Sequence, residues 1–303
     1  MGQYATFENN VFSALNTAFL RDAALILVPK NVSVTRPIHL LFIATQQEVT
    51  SYPRCLLIGE TGSNVTIIED YVALQDATYI TNSVTEISLA ANAHARHIRV
   101  QRENTQAFHF ANCAVSLAHA SHYQSASISL GSHISRYNLD VRLLDEAAEC
   151  VIDGLTLISD RQLADTHTCI DHVKPNGTSH QQHKCIVDDS AHAVFNGKII
   201  VRPHAQRTNS SQSSRNLLLS SAAQIDTKPQ LEIFADDVKC AHGATVGQLE
   251  QEEIFYLESR GLSELAARNL LTYAFGAEII SRIPVTSLRQ QLEQAVLNQT
   301  QGK

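Results

Sequence analysis

Short apolar segments separated by small and polar corners fill most of this chain, and a helical period replaces them only near its two ends. Near the N-terminus Phe12, Leu15 and Phe19 are spaced i, i+3, i+7, which predicts a short helix. From about Ala24 to Val246 the segments Val65–Ile68, Thr85–Leu89, Ile98–Val100, Ser127–Leu130, Leu139–Leu143, Val151–Ile158 and Val194–Val201 are rich in Val, Ile, Leu and Thr. Gly, Asn, Asp, Ser and Ala bound them, which is strand punctuation, and no amphipathic helix interrupts the series. After Gly247 the period is helical again. Ile254 and Leu257 share a face, and Gly261 is placed to stop that helix. Ser263 is placed to cap a second helix over Glu264–Ile280, with Ala266, Leu270, Tyr273, Ala274 and Ala277 as its apolar period. Pro284 breaks it, and Leu288, Leu292 and Val296 predict a third. A bundle this small cannot bury a core alone, so it is expected to cover the open end of the β region or to meet a partner. The expected organisation is a short helical segment over 1–25, a β core over 26–246 and a helical region over 247–303.

The strands repeat. Small-residue corners precede a strand at Gly62-Ser63-Asn64, Ala91-Asn92-Ala93, Ala120-Ser121-His122 and Ala147-Ala148-Glu149, and later at Ser190-Ala191-His192 and Ala222-Ala223-Gln224. Counted from Asn64 the steps are 29, 28, 28, 43 and 32 residues, and the longest reads as carrying an insertion over His172–His183, with Pro175 and Gly177. Two units also agree in sequence, Glu149-Cys-Val-Ile-Asp-Gly154 and His192-Ala-Val-Phe-Asn-Gly197. Such a period predicts a mainly β solenoid, a parallel β-helix whose coils bury their inward side chains by stacking. A propeller needs about 40 residues per blade; a large β-sandwich is the alternative.

Composition narrows the function. A net charge of −7 opposes a nucleic-acid-coating surface or a polybasic membrane patch. The longest apolar run, Ala23–Val28, has six residues, against about 20 for a membrane span. No signal-type segment opens the sequence, so the cytoplasm or an organelle interior is expected. Met1-Gly2-x-x-x-Thr6 fits the short myristoylation pattern, which is a common accidental match. The six cysteines, Cys55, Cys113, Cys150, Cys169, Cys185 and Cys240, are scattered without a C-x-x-C pair and read as free thiols.

No phosphate-binding loop, nucleophile elbow or zinc-protease motif occurs, so no nucleotide is expected on this chain. The unusual stock is 14 histidines. His94/His97, His119/His122 and His180/His183 are spaced i, i+3 and would diverge across a strand, which favours surface histidines. His167, Cys169 and Asp171 would share one strand face, either as a ligand ladder or as stacking in the solenoid core. The strongest candidate is Asp236-Asp-Val-Lys-Cys240-Ala-His242-Gly243. Cys240 and His242 share a face if extended, and a thiolate with an imidazole suits iron, zinc or sulfur-bearing species. Two ligands do not close a metal site, so other coils or a second subunit would contribute. The alternative is a buried Cys beside a hydrogen-bonded His. Asp236 and Asp237 either attract iron or solvate the strand end.

Leu231-Glu-Ile-Phe-Ala-Asp-Asp-Val-Lys-Cys-Ala-His-Gly-Ala-Thr-Val-Gly247 resembles the C-terminal signature of the SufB/SufD family, scaffold components of the SUF iron–sulfur cluster assembly system. Pro37-Ile-His-Leu-Leu41, Ile68-Glu-Asp-Tyr71, Thr81-Asn-x-Val-Thr-Glu86 and Phe195-Asn-Gly-Lys198 fit it too. So do Gln212-x-x-x-Asn216-Leu-Leu-Leu219, Asp226-Thr-Lys-Pro-Gln-Leu-Glu232 and the tail Gly261-Leu-Ser263 with Leu271-Thr-Tyr-Ala-Phe275. The likeness runs from about residue 10 to 285 and is greatest to the SufD branch.

The resemblance implies a right-handed parallel β-helix with flanking helices and a non-catalytic role. It implies pairing with a SufB-like subunit through the C-terminal end, docking of a SufC-like ATPase on the C-terminal helices, and a homodimer when the chain is isolated. A transient iron–sulfur cluster or iron would be held at the interface by Cys240 and His242, in a bacterial cytoplasm or a plastid stroma. Residues 1–25 would be the end of a longer N-terminal helical domain. The family pattern leads one to expect an aromatic residue and a Gly where this chain has His183 and Cys185. A carbohydrate-active β-helix enzyme is the competing expectation, but it needs a carboxylate pair and usually an aromatic groove, and this chain has no Trp.

Overall fold

The computed structural model describes residues 2–8 and 10–301, without the side chains of 299–301. Met1, which opens the myristoylation-like pattern, lies outside the described residues, as do Asn9, Gly302 and Lys303. Helix α1 (Val11–Ala18) comes first. Then follow β1 (Ala24–Val28), β2 (Ile38–Ala44), β3 (Thr50–Ser51), β4 (Arg54–Gly59), β5 (Asn64–Ala73), β6 (Ile80–Leu89), β7 (His94–Gln101), β8 (Phe108–Leu117) and β9 (His122–Ser129). The series continues with β10 (Ile134–Leu143), β11 (Glu149–Ile158), β12 (Leu163–His172), β13 (Thr178–Val187), β14 (His192–Val201), β15 (Thr208–Leu218), β16 (Gln224–Ile233) and β17 (Val238–Gly247). Helices α2 (Gln251–Ser259), α3 (Glu264–Ile280) and α4 (Thr286–Gln301) end the chain.

All recorded pairings are parallel and nearly all are in unbroken register. One sheet runs β1-β4-β6-β8-β10-β12-β14-β16, with β3 beside β6, and the other runs β2-β5-β7-β9-β11-β13-β15-β17. The chain is a parallel β-solenoid of about eight turns, as the corner spacing predicted. Its corners stack as well. The N–H groups of Gly62, Asn92, Ala120, Ala147 and Asn176 each donate to a carbonyl of the next coil at 2.9–3.2 Å, and all five residues have positive φ.

The long sequence step is not an insertion. Pro175-Asn176-Gly177 is an ordinary corner of this column and Thr178–Val187 is a full strand, so Glu149 to His192 spans one and a half coils. The two units that agree in sequence, at Glu149 and His192, therefore sit on opposite sheets.

Much of the interior is polar. Glu69 lies 3.3 Å from His97 and accepts hydrogen bonds from Thr85 at 2.6 Å and Tyr71 at 2.9 Å. His109 contacts Glu103 at 2.6 Å and Arg99 at 2.5 Å, and the Arg99 guanidinium lies 4.4 Å from the Tyr137 ring centre. All of these side chains are buried. Contrary to the surface reading, His97 and His183 face the interior while His94 and His180 face outward. These two i, i+3 pairs do diverge, whereas His119 lies in the corner before β9 and so forms no strand pair with His122.

The helices dock on the flanks. Ile279, Ile280, Ile283, Leu288, Leu292 and Val296 pack on outward residues of the second sheet, among them Ile98, Ile128, Leu155 and Ile186. The bundle therefore lies along the side of the solenoid, and the end at β16 and β17 stays uncovered, contrary to the end-capping expectation. Ser263 caps α3 as expected, accepting from the Ala266 N–H. The buried face of α3, however, is Ala267, Thr272, Gly276, Ile279 and Ile280, whereas Ala266, Leu270 and Ala274 are exposed. Gly276 on that face lies over Ile186 and Leu155 at ordinary packing distance. At the other end α1 buries Ser13 and Asn16, and Leu15 and Phe19 are exposed. The sheet beneath it is polar there, so Asn16 donates to the carbonyls of Asn82 and Pro53, while Phe12 stacks on Phe110 at 4.0 Å.

Two tests follow. Leu292→Ala is expected to cost about 2–5 kcal/mol, and hydrogen exchange should show α3 and α4 opening while the solenoid strands stay protected. Burial alone would raise the Glu69 carboxyl, but the charge and hydrogen bond of His97, with Thr85 and Tyr71, hold it at about 2. A carboxyl depressed in the folded state contributes stability above its ordinary value of about 4.3 and loses it as pH falls towards the folded value. Unfolding by urea between neutral pH and pH about 2 should therefore show an acid limb that Glu69→Gln flattens.

Candidate functional site

Strand β17 is the last rung of the second sheet and pairs only with β15. Its register sets Cys240 beside Ser210 and His242 beside Gln212, both of which are buried inward residues. Paired residues of a parallel ladder point to the same face, so Cys240 and His242 belong to the inner face of the final coil. No further coil covers them. Cys240 is half-buried against the edge of the apolar core and His242 is exposed. The spacing of two thus delivers what the sequence suggested, a thiol and an imidazole on one face, at the open end of the solenoid.

Burial pushes the Cys240 thiol up, partly opposed by a backbone hydrogen bond at Ser210. Among the described residues the His242 side chain has no hydrogen bond, ion pair or ring contact. Asp236 and Asp237 sit in the preceding corner, both exposed. The Asp237 carbonyl accepts from the Arg207 N–H at 2.6 Å, continuing the corner ladder. Among the described residues no three of His, Cys, Asp and Glu come together as a metal ligand set, so Asp236 and Asp237 do not complete the Cys240–His242 pair. The surroundings are suited to a partner. Strands β16 and β17 are open edges, and Ile233, Phe234 and Val246 are exposed apolar side chains beside them.

His167 and Cys169 do share a face, but it is the outer face of the first sheet, which corrects the core-stacking alternative. His167 pairs with Asp165 at 2.8 Å, and Asp171 is bound by Arg202 at 2.8 and 3.0 Å. Cys169 lies in a groove with Asp140 and Arg202, its thiol pushed up to about 11 by burial and by Asp140 and Asp171. Among the described residues His167, Cys169 and Asp171 do not gather as a metal ligand set, so the ladder reading finds no support there. His183 and Cys185 are interior. His183 stacks on Phe195 at 4.4 Å against Gly154, where a Cβ would stand 2.2 Å from its Nδ1, and burial lowers its pKa to about 4. Between them Lys184 points outward to Glu278 and the Phe275 carbonyl, tying α3 to the sheet.

Sequence reasoning missed the polar column beneath the pair. Gln212 Nε2 donates to Gln181 Oε1 at 2.7 Å, Gln181 Nε2 donates to Thr168 Oγ1 at 2.8 Å, and Ser210 pairs with Ser179 at 2.6 Å. The signal available was the placement of Gln212 thirty residues before His242, one coil away.

Among the described residues the second sheet of this parallel β-solenoid thus ends in an uncovered rung with one thiol and one imidazole on its inner face. Residues 42–275 match the family described as SUF system FeS cluster assembly, SufBD core domain, and residues 1–40 match the SufBD protein N-terminal region. The chain belongs to the SufBD family of iron–sulfur cluster assembly proteins. It is 44% identical over 301 residues to the iron–sulfur cluster assembly SufBD family protein slr0076 of Synechocystis, covering 96% of this chain and 66% of that one. It is 38% identical over 289 residues to the iron–sulfur cluster assembly protein SufD of Escherichia coli, covering 94% and 68%. It is 33% identical over 293 residues to the chloroplastic protein ABCI7 of Arabidopsis thaliana, covering 94% and 62%. The chain thus spans about two thirds of the length of these relatives.

Alkylation tests the placement of the thiols. Iodoacetamide on the native protein should label Cys240 first and Cys169 more slowly, both faster as pH rises, because only thiolates react. Cys55, Cys113, Cys150 and Cys185 are buried and should label only after unfolding.

Proposed function

We propose that this chain is a non-catalytic, SufD-like scaffold subunit. It pairs with a SufB-like subunit through the open β16–β17 end, and the growing iron–sulfur cluster is its cargo, contacted by Cys240 and His242. The observation that carries the reading is the position of that pair, two donors on the inner face of an uncovered last rung. Two donors hold iron or sulfide weakly, which suits a cluster that must be handed on, and the remaining ligands come from the partner. The open edge supplies the pairing surface, since unpaired strand groups seek another strand.

The helical tail is the SufC-like ATPase dock. Phe255, Tyr256, Leu265 and Leu270 are exposed on α2 and α3, an apolar surface that the solenoid leaves uncovered. Among the described residues no helix is long and apolar enough to cross a membrane, and the net charge of −7 is unsuited to nucleic acid. The working compartment is a bacterial cytoplasm or a plastid stroma, and one relative is itself described as chloroplastic. When isolated, the chain pairs with itself through the same end.

Co-expression with SufB-like and SufC-like subunits is the test, with wild type beside Cys240→Ala and His242→Ala. The complex should form in all three, and each variant should retain about tenfold less iron and sulfide. Normal cluster loading in both variants would reduce the chain to a structural partner. A wild type that binds no SufB-like subunit would overturn the assignment of the open end.

A further inference from the structure

The column beneath His242 has a direction. Gln181 donates its amide to Thr168, and Gln212 donates its amide to Gln181. Thr168 and Gln181 bond to each other across the interior, and the Gln212 amide nitrogen is taken up by Gln181 one coil earlier, so the carbonyl oxygen of Gln212 is left as the unbonded atom of this column. That oxygen, Gln212 Oε1, is buried and has no hydrogen-bond partner among the described residues, and Gln212 as a whole is only 3% exposed. Gly197 helps to fix this arrangement. A Cβ there would stand 2.4 Å from Gln212 Nε2, so glycine opens the space in which the amide lies across the interior. The next rung, at the register position of Gln212, is His242, whose imidazole is also unbonded. Adjacent rungs of a ladder are ~4.8 Å apart, within the reach of a side-chain hydrogen bond.

We infer that Gln212 is a positioning residue for His242. Gln212 Oε1 accepts one ring N–H of the imidazole, which selects a single tautomer and turns the lone pair of the other nitrogen away from the coil. A buried carbonyl without a partner is costly, and an imidazole is the donor that this column places next to it. The same logic orients ligand imidazoles in metal sites, where the second nitrogen donates to a carbonyl or carboxylate. The consequence for the cargo rests on the proposed role of His242, but the hydrogen bond itself does not.

The test is nitrogen NMR of the isolated chain, histidine-labelled and held near pH about 8, where an ordinary imidazole is neutral. The His242 signals are assigned by their loss in His242→Gln. Wild type should show one dominant tautomer, Gln212→Met an averaged mixture, and Gln212→Glu, which keeps an acceptor, one tautomer again. Thermal unfolding of each variant checks that the coil is intact. A mixture in wild type overturns the inference even if Gln212→Met does not fold, and so does an unchanged tautomer in Gln212→Met. In the complex with the SufB-like subunit, Gln212→Met should lower iron affinity about 10-fold or more, the loss usual for such a partner of a ligand. A tautomer that shifts while iron loading stays normal supports the hydrogen bond and overturns the ligand role of His242 instead.

Discussion

In-register parallel pairing is the constraint from which the rest of this molecule follows. Each inward side chain must stack on the residue at the same position one coil earlier and one coil later, so the interior is a set of columns. A column tolerates polar residues as long as its members can bond to one another or across the cavity. Glu69, His97, Arg99, His109 and Glu103 do this near the N-terminal coils, and Thr168, Gln181 and Gln212 do it near the C-terminal ones. Burying these groups singly would cost several kcal/mol each, so their mutual satisfaction is a condition of the fold. The same stacking makes the two ends special, since a terminal rung has a neighbour on one side only.

The sequence carries the corners more clearly than the strands. Stacked corners need residues that accept positive φ or are small, which is why Gly62, Asn92, Ala120 and Ala147 announce the coil length. Strands with apolar interiors, such as Val194–Val201, are equally plain. Strand β13, Thr-Ser-His-Gln-Gln-His-Lys-Cys-Ile-Val, is not, because its inward Ser179, Gln181 and His183 look like solvent residues. A polar column removes the alternation on which strand recognition depends, so a regular coil was read as an insertion and His97 and His183 as surface groups.

The candidate site divides along the same line. That Cys240 and His242 share a face follows from their spacing alone, and the structure agrees. Whether that face is buried depends on β17 being the last rung, which no local pattern records. The face shared by His167 and Cys169 was legible, but period two cannot say which side of a sheet is inside, and the answer is outside. On α3 the buried stripe is the one that carries Ile279 and Ile280 onto the second sheet, and it leaves Leu270 on the free side.

The open end and the polar column are connected by one physical argument. An edge strand with unpaired backbone groups and exposed apolar side chains is a hazard in a protein that acts alone, and such edges are usually blocked by charge, bulges or a covering helix. Here the helices that could have covered the end are held along the flank instead, fastened by Lys184, Glu278 and the Ile279–Val296 contacts. On its inner face the last rung carries a thiol and an imidazole between Val238 and Ala244, and they rest on a column whose last acceptor, Gln212 Oε1, has no partner among the described residues. Each of these features is unfavourable in a closed domain, and the proposed pairing would relieve all of them at once by laying a second surface against the end. On that proposal the columns of the interior would continue across the contact, with Cys240 and His242 as their last members on this chain.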